Sequence, residues 1–257
     1  MDENNIENHK TSWRERFHFE WILPVLLRPR KGLQTILEQD KPAWLTPLVL
    51  ISVLAILGVL IAGPLRVQDA QSGANLPPDF MYYSPEQQEQ FMQAQQSSSS
   101  PLFSYVFPAV GVLVGIWVGW AILGGLLHLA LTLSGSRSTS RTALNLAAWA
   151  SLPFVARFAL QALYMLIQRH LIYNPAFSGF AVEGSFWASL LGQVDLFLVW
   201  QIVLIFIGVV PMSQLAPRKA WLAAAAAILL TLLLGSLPGS LSGLFGNIGP
   251  IQSFYFF

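Results

Sequence analysis

The sequence predicts an all-α integral membrane protein of five transmembrane helices, with the N-terminus cytoplasmic and the C-terminus extracytoplasmic. Three observations carry this. The 257 residues are 54% hydrophobic and only 11% charged, with a mean hydropathy of +0.54, whereas soluble domains run near a quarter charged. Five apolar segments come close to the length of about 20 residues that a hydrocarbon core of about 30 Å demands. Lys and Arg are also concentrated in alternate connections, which sets orientation.

Composition excludes much else. A net charge of +1 supplies no basic cluster for nucleic acid. Cysteine is absent, which removes disulfides, thiolate metal sites and cysteine nucleophiles. The opening MDENNIENHK is polar and acidic, unlike a cleaved signal peptide, so the first span is expected to act as an uncleaved anchor.

Taken in order, residues 1–16 read as a disordered polar tail. Residues 17–41 read as an amphipathic cytoplasmic or interfacial segment. Phe17, Phe19, Trp21, Leu23 and Leu27 precede Arg28, Pro29, Arg30 and Lys31. Pro24 and Pro29 interrupt the stretch too often for it to span. An apolar, Trp-bearing run beside three cations suits the headgroup layer; the other reading is a helix packed under the bundle.

The spans are expected at Trp44 to Gly63, Phe107 to Leu133, Thr142 to Ile167, Phe186 to Met212 and Trp221 to Leu237. They form a membrane domain over 42–237, followed by an apolar tail over 238–257. Residues 65–100 form the one long extracytoplasmic loop, polar and flexible, with a short helix expected to start at Pro85 in PEQQEQFMQAQQ. Seven basic residues precede the first span, Arg137 and Arg141 lie in the second connection, and Arg218 and Lys219 lie in the fourth. The first and third connections hold only Arg66 and Arg169.

Within the spans, Gly111, Gly115 and Gly119 make a stripe that lets another backbone approach closely, within the chain or in a second copy. Arg157 and Asp195 are the charges lying inside apolar segments. An isolated charge there costs about 2.5–3.5 kcal/mol on insertion scales, so the two are expected to pair. Gln161 lies one turn from Arg157 and Gln193 two positions from Asp195, and both are expected to support the pair. The pair either fixes helix register or lines a polar path. Pro153 should kink the third span. His128 and Asn145 sit near inner span ends; the lone histidine reads as a hydrogen-bonded structural residue, with a ligand or proton-relay role as the alternative. The four histidines are scattered, and neither an H-E-x-x-H pattern nor a G-x-S-x-G elbow occurs. The sequence therefore calls for no catalytic residue, no metal and no cofactor.

Several short signatures recur together. Pro29 to Lys31 precedes Ile36 to Glu38, Trp44 and Pro47 open the first span, and His128 is followed by SGSRSTSRT and then by Ala-Trp-Ala-Ser-Leu-Pro at 148–153. In this the chain resembles the Yip family of five-span Ypt- or Rab-interacting proteins, in its bacterial form, over residues 20–237. The resemblance implies an N-in, C-out five-helix domain and a non-enzymatic adaptor, since the eukaryotic relatives associate with Rab-type GTPases and with one another. This chain lacks the Asp-Leu-Tyr-Gly-Pro signature of that branch, and Rab binding is not carried over.

The resulting expectation is a multi-pass protein of a bacterial plasma membrane that organises membrane or recruits partners at the cytoplasmic face. Its working surface is 17–41 with the basic turns, including Arg28, Arg30, Lys31, Arg137, Arg141, Arg218 and Lys219. Its partners are the lipid bilayer and either a second copy or another membrane or cytoplasmic protein, not nucleic acid. The alternative is a small transporter or channel with a polar core around Arg157 and Asp195.

Overall fold

Two short helices cross at one end of a bundle of long ones. The computed structural model describes residues 17–39, 41–71, 80–98, 100–182 and 184–244; the polar tail expected over 1–16, and the apolar tail expected over 238–257 from residue 245 on, lie outside them. After a 3-10 turn at Phe19–Trp21, α1 runs Ile22–Leu27 and α2 runs Pro29–Leu37. The proline at the first position of α2 has no N–H to leave unpaired there. The hairpin is tight because Gly32 has no side chain: a Cβ at that position would lie 2.7 Å from Pro24 C and Val25 N.

The long helices follow. The first, α3, spans Leu45–Gln71, and α4, Pro85–Ser98, occupies the first connection. A π-helical turn at Leu102–Val106 leads into α5, Phe107–Leu133. The third span is two helices, α6 at Ser140–Ala150 and α7 at Pro153–Gln168. The fourth is likewise split, into α8 at Phe186–Leu191 and α9 at Leu196–Ser213. The last, α10, runs Pro217–Leu244. Five segments are long and apolar enough to cross a membrane: Leu45–Asp69, Leu102–Leu133, Ser140–Gln168, Leu196–Ser213 and Pro217–Pro238.

Three boundaries differ from expectation. Helix α3 does not stop at Gly63; it carries Pro64 inside it and continues through RVQDAQ, polar residues that a hydropathy window discards but that a helix accepts beyond the apolar layer. The third span is interrupted at Ser151 and Leu152 rather than merely kinked. Those two N–H groups bond back to the carbonyls of Ala148 and Trp149 at 3.1 and 3.3 Å, and Pro153 then starts a new helix. The fourth span begins at Leu196 instead of Phe186, because residues 192–195 leave helical geometry and Asp195 is the N-cap of α9.

Antiparallel register between α3 and α5 is fixed at two heights. Trp117 Nε1 donates to Ser52 Oγ at 3.2 Å. Further along, Arg66 donates to the carbonyl of Ser104 at 3.0 Å. Gly63 makes room for the Tyr105 ring, which an added Cβ would overlap. The core joins Leu127 and Leu131 of α5, Leu146, Ala147 and Trp149 of α6, Leu204, Ile205 and Val209 of α9 and Ala224 and Ala227 of α10, with Val25, Leu33 and Ile36 of the hairpin.

Candidate functional site

Two polar arrangements organise the interior. The first is an ion pair: Arg157 Nε lies 3.1 Å from Asp195 Oδ2, with the side chains 5% and 16% exposed. Asp195 uses its other oxygen to accept from Leu198 N at 2.8 Å, which satisfies one of the orphan N–H groups at the start of α9. One carboxylate therefore caps a helix and neutralises a buried guanidinium. The guanidinium lies 5.8 Å from the Phe154 ring centroid, and its Nη1 is buried without a hydrogen-bond partner. Near this level Ile51 of α3, Phe154 of α7 and Leu198 of α9 pack together, so the pair sits among the spans.

The expected glutamine support is not how the pair is built. Gln193 turns toward α10, where its amide nitrogen donates to Ser189 O at 3.1 Å and Ser236 Oγ at 2.8 Å. Its Oε1 would lie 2.8 Å from a Cβ on Gly235. The break at 192–195 is the reason: two positions of non-helical backbone separate the directions of Gln193 and Asp195. Gln161 is half-buried and bonds to neither charge. The glutamine that does serve this row is Gln201, whose Nε2 donates to Ser151 Oγ at 2.9 Å, while Ser151 Oγ donates to Ala147 O at 2.8 Å. Gln201 caps the interruption of the third span, and sequence reading missed it because it looked like one polar residue in an apolar helix. A cavity of about 10 Å³, about the room for one water, lies beside Gln201 and Thr231 and is not lined by Arg157 or Asp195.

The second arrangement holds the hairpin onto the bundle. Asn145 Oδ1 accepts from Ala43 N at 2.9 Å and its amide donates to Lys41 O at 3.4 Å. Trp149 is fully buried, and its Nε1 donates to Ala43 O at 2.9 Å. These two side chains of α6 thus satisfy the extended backbone between hairpin and first span, groups that would otherwise be buried unpaired. The Trp21 ring lies 5.7 Å from that of Trp149, His18 stacks on Trp21 at 3.9 Å, and His18 N donates to Thr46 Oγ1 at 2.8 Å. The hairpin is packed against the bundle, with Phe19, Leu23 and Leu27 left 59%, 66% and 76% exposed on its outer side.

Ser136 Oγ donates to Ser213 O at 2.9 Å, which joins the turn after α5 to the end of α9. Arg28, Arg30, Lys31, Lys41, Arg137, Arg141, Arg218 and Lys219 are all exposed, on the elements gathered at this end. Gly115 and Gly119 are buried and Gly111 is half-buried. Two glycines of the stripe are thus covered within one chain. His128 is half-buried, its Nδ1 lacking a partner. Among the described residues no three His, Asp or Glu side chains stand where they could hold a metal.

A helical bundle with five membrane-length apolar helices and charges that are paired or kept to its ends defines a multi-pass membrane protein. A family model, the Yip1 domain, matches residues 23–237. The chain belongs to the Yip1 domain family. No curated protein and no solved structure matches it.

Proposed function

We propose that this protein is a non-enzymatic adaptor or scaffold of a bacterial plasma membrane, N-terminus in and C-terminus out, that recruits partners at its basic, cytoplasmic end. One observation carries the reading. Asn145 and the signature residue Trp149 fasten residues 41–43, and with them the α1–α2 hairpin, against the bundle. Such a fastening presents a fixed surface on which Arg30, Lys31, Gln34 and Thr35 of α2, and Glu38 just after it, are exposed, beside the basic turns. The partner is a second copy or another membrane or cytoplasmic protein. Cross-linking in native membranes from sites on α2 and on the Arg137–Arg141 turn tests it. Specific adducts lost on Asn145→Ala are expected; no adduct from either site would overturn the reading.

A transporter or channel is the second reading, favoured by the interrupted fourth span and the unpartnered Arg157 Nη1. Broken helices inside membranes border substrate paths in many transporters. Solute flux into liposomes, abolished by Asp195→Asn, would decide for it; no flux for any ion tried, with both proteins folded, would decide against it.

A further inference from the structure

We propose that the outer side of the α1–α2 hairpin is a docking surface for acidic phospholipid headgroups, held in the plane of the leaflet at the bundle's basic end. The inference rests on reading residues 17–41 as a working surface and names the first thing that surface meets.

Leu23 and Leu27 are spaced by four on α1, so they share one face, Phe19 precedes them in the 3-10 turn, and all three are more than half exposed. The opposite side is already occupied: Val25, Leu33 and Ile36 are at 0–1% exposure in the bundle core. At the end of the apolar row the chain places Arg28, Arg30 and Lys31, all exposed. Two acids are described in this segment, Glu20 beside the row and Glu38 beyond α2, and each has a neighbouring partner. Glu20 is engaged with His18 at 3.2 Å, and Glu38, at the far end of α2, accepts from Gln34 at 3.0 Å. An apolar row ending in a cationic cluster is complementary to acyl chains below anionic headgroups.

What distinguishes this segment from a tethered amphipathic peptide is the fastening. Trp149, Asn145 and Thr46 anchor the chain on both sides of α1 and α2, at the start of the first span. The depth of Leu23 is therefore set by the bundle, with no ordering cost left for lipid to offset. Lipid charge then adjusts how firmly the row is seated and does not decide whether the helices form.

The chain has no cysteine, so Leu23→Cys and Gln34→Cys each give a single labelling position. The purified full chain carrying an environment-sensitive fluorophore is reconstituted in phosphatidylcholine vesicles, with and without phosphatidylglycerol. Quenching by spin-labelled lipid is compared with quenching by aqueous iodide. The expected result is several-fold stronger lipid quenching at 23 than at 34, increased by phosphatidylglycerol. The triple variant Arg28→Gln, Arg30→Gln, Lys31→Gln should lose that increase. Iodide access at 23 in both vesicles would overturn the proposal, as would lipid quenching indifferent to phosphatidylglycerol and to the triple variant. Shielding of position 23 from both quenchers would overturn it in favour of a second copy. Because no other protein is present, failure here leaves recruitment untouched, and failed cross-linking leaves this result untouched.

Discussion

Gln201 donates to Ser151 at 2.9 Å, and six residues away along each span of the same antiparallel contact (157 to 151, 195 to 201) Arg157 meets Asp195 at 3.1 Å. The third and fourth spans are pinned to one another at two heights. Each pin lies at a helix interruption: Ser151 where α6 gives way to α7, Asp195 where α9 begins. Polar side chains are therefore placed where the helical ladder stops supplying partners. The two interruptions are thus tied to each other, each supplying a partner to the other span.

From this follows a graded response at Asp195. Asp195→Asn keeps an oxygen for Leu198 N but abandons the charge of Arg157; Asp195→Ala loses both. Stranding one member of a buried pair costs about 3–5 kcal/mol, and an N-cap adds about 1 kcal/mol. Unfolding in mixed micelles should rank wild type, Asn and Ala in falling stability. Pairing Asp195→Asn with Arg157→Met should recover much of the loss. Equal stability of all four proteins would show that the pair contributes nothing to the fold.

Glycines separate into tight and open positions. At Gly32 the Cβ of alanine would meet backbone of α1 at 2.7 Å, which cannot yield, so Gly32→Ala should cost about 1–3 kcal/mol by overpacking. Gly58 and Gly125 have nothing within 4 Å of that position. Alanine there should be neutral or stabilising by up to about 1 kcal/mol through helix propensity. Limited proteolysis within 17–41 is the readout: faster cleavage for Gly32→Ala, no change for the other two. Similar cleavage of all three would contradict the hairpin geometry.

Tyr173 ties the third connection to the end of α3 through a hydrogen bond to Asp69. Partial desolvation of the phenol, then the bond and the negative charge of Asp69, push its pKa from 10 up to about 12. A raised pKa means the neutral phenol is favoured in the folded state. The contribution is thus complete below pH 10 and is lost as pH rises through about 12. Tyrosinate absorbance should show one tyrosine titrating late, and Tyr173→Phe should remove that phase. An unchanged titration curve in the variant would assign the shift elsewhere.

The sequence exposes some of these features and hides others for reasons that can be named. Helix α5 occupies Phe107–Leu133, the stretch that its apolar run marks, since Pro108 and the Ser/Gly turn bound it on both sides. The fourth span hides its break because Phe186, Trp187 and Leu190 are as apolar as the helix they precede. Asp195 looked like a charge inside a span. Asp followed directly by an apolar run is also an N-cap pattern, and that signal was present. Ser185, whose hydroxyl accepts from Ala188 N at 3.1 Å, marks a second start in the same way. Gln193 and Gln201 could not have been told apart, because which of them meets the third span depends on the turn between them.

The clamp at Asn145 and Trp149 gives the last test. Ala43 N is 102 residues from Asn145 in sequence, and no local interaction replaces it. Asn145→Ala leaves a buried N–H unpaired, at a cost of about 1–3 kcal/mol. Trp149→Phe removes the donor to Ala43 O and also leaves a void where the fully buried indole stood. Hydrogen exchange over residues 20–38 should therefore rise for both variants, with exchange in α5 unchanged. If instead protection fell equally in α5 and in the hairpin, the two side chains would be holding up the whole bundle rather than fastening one segment to it. The hairpin would then lose its standing as a separately presented surface.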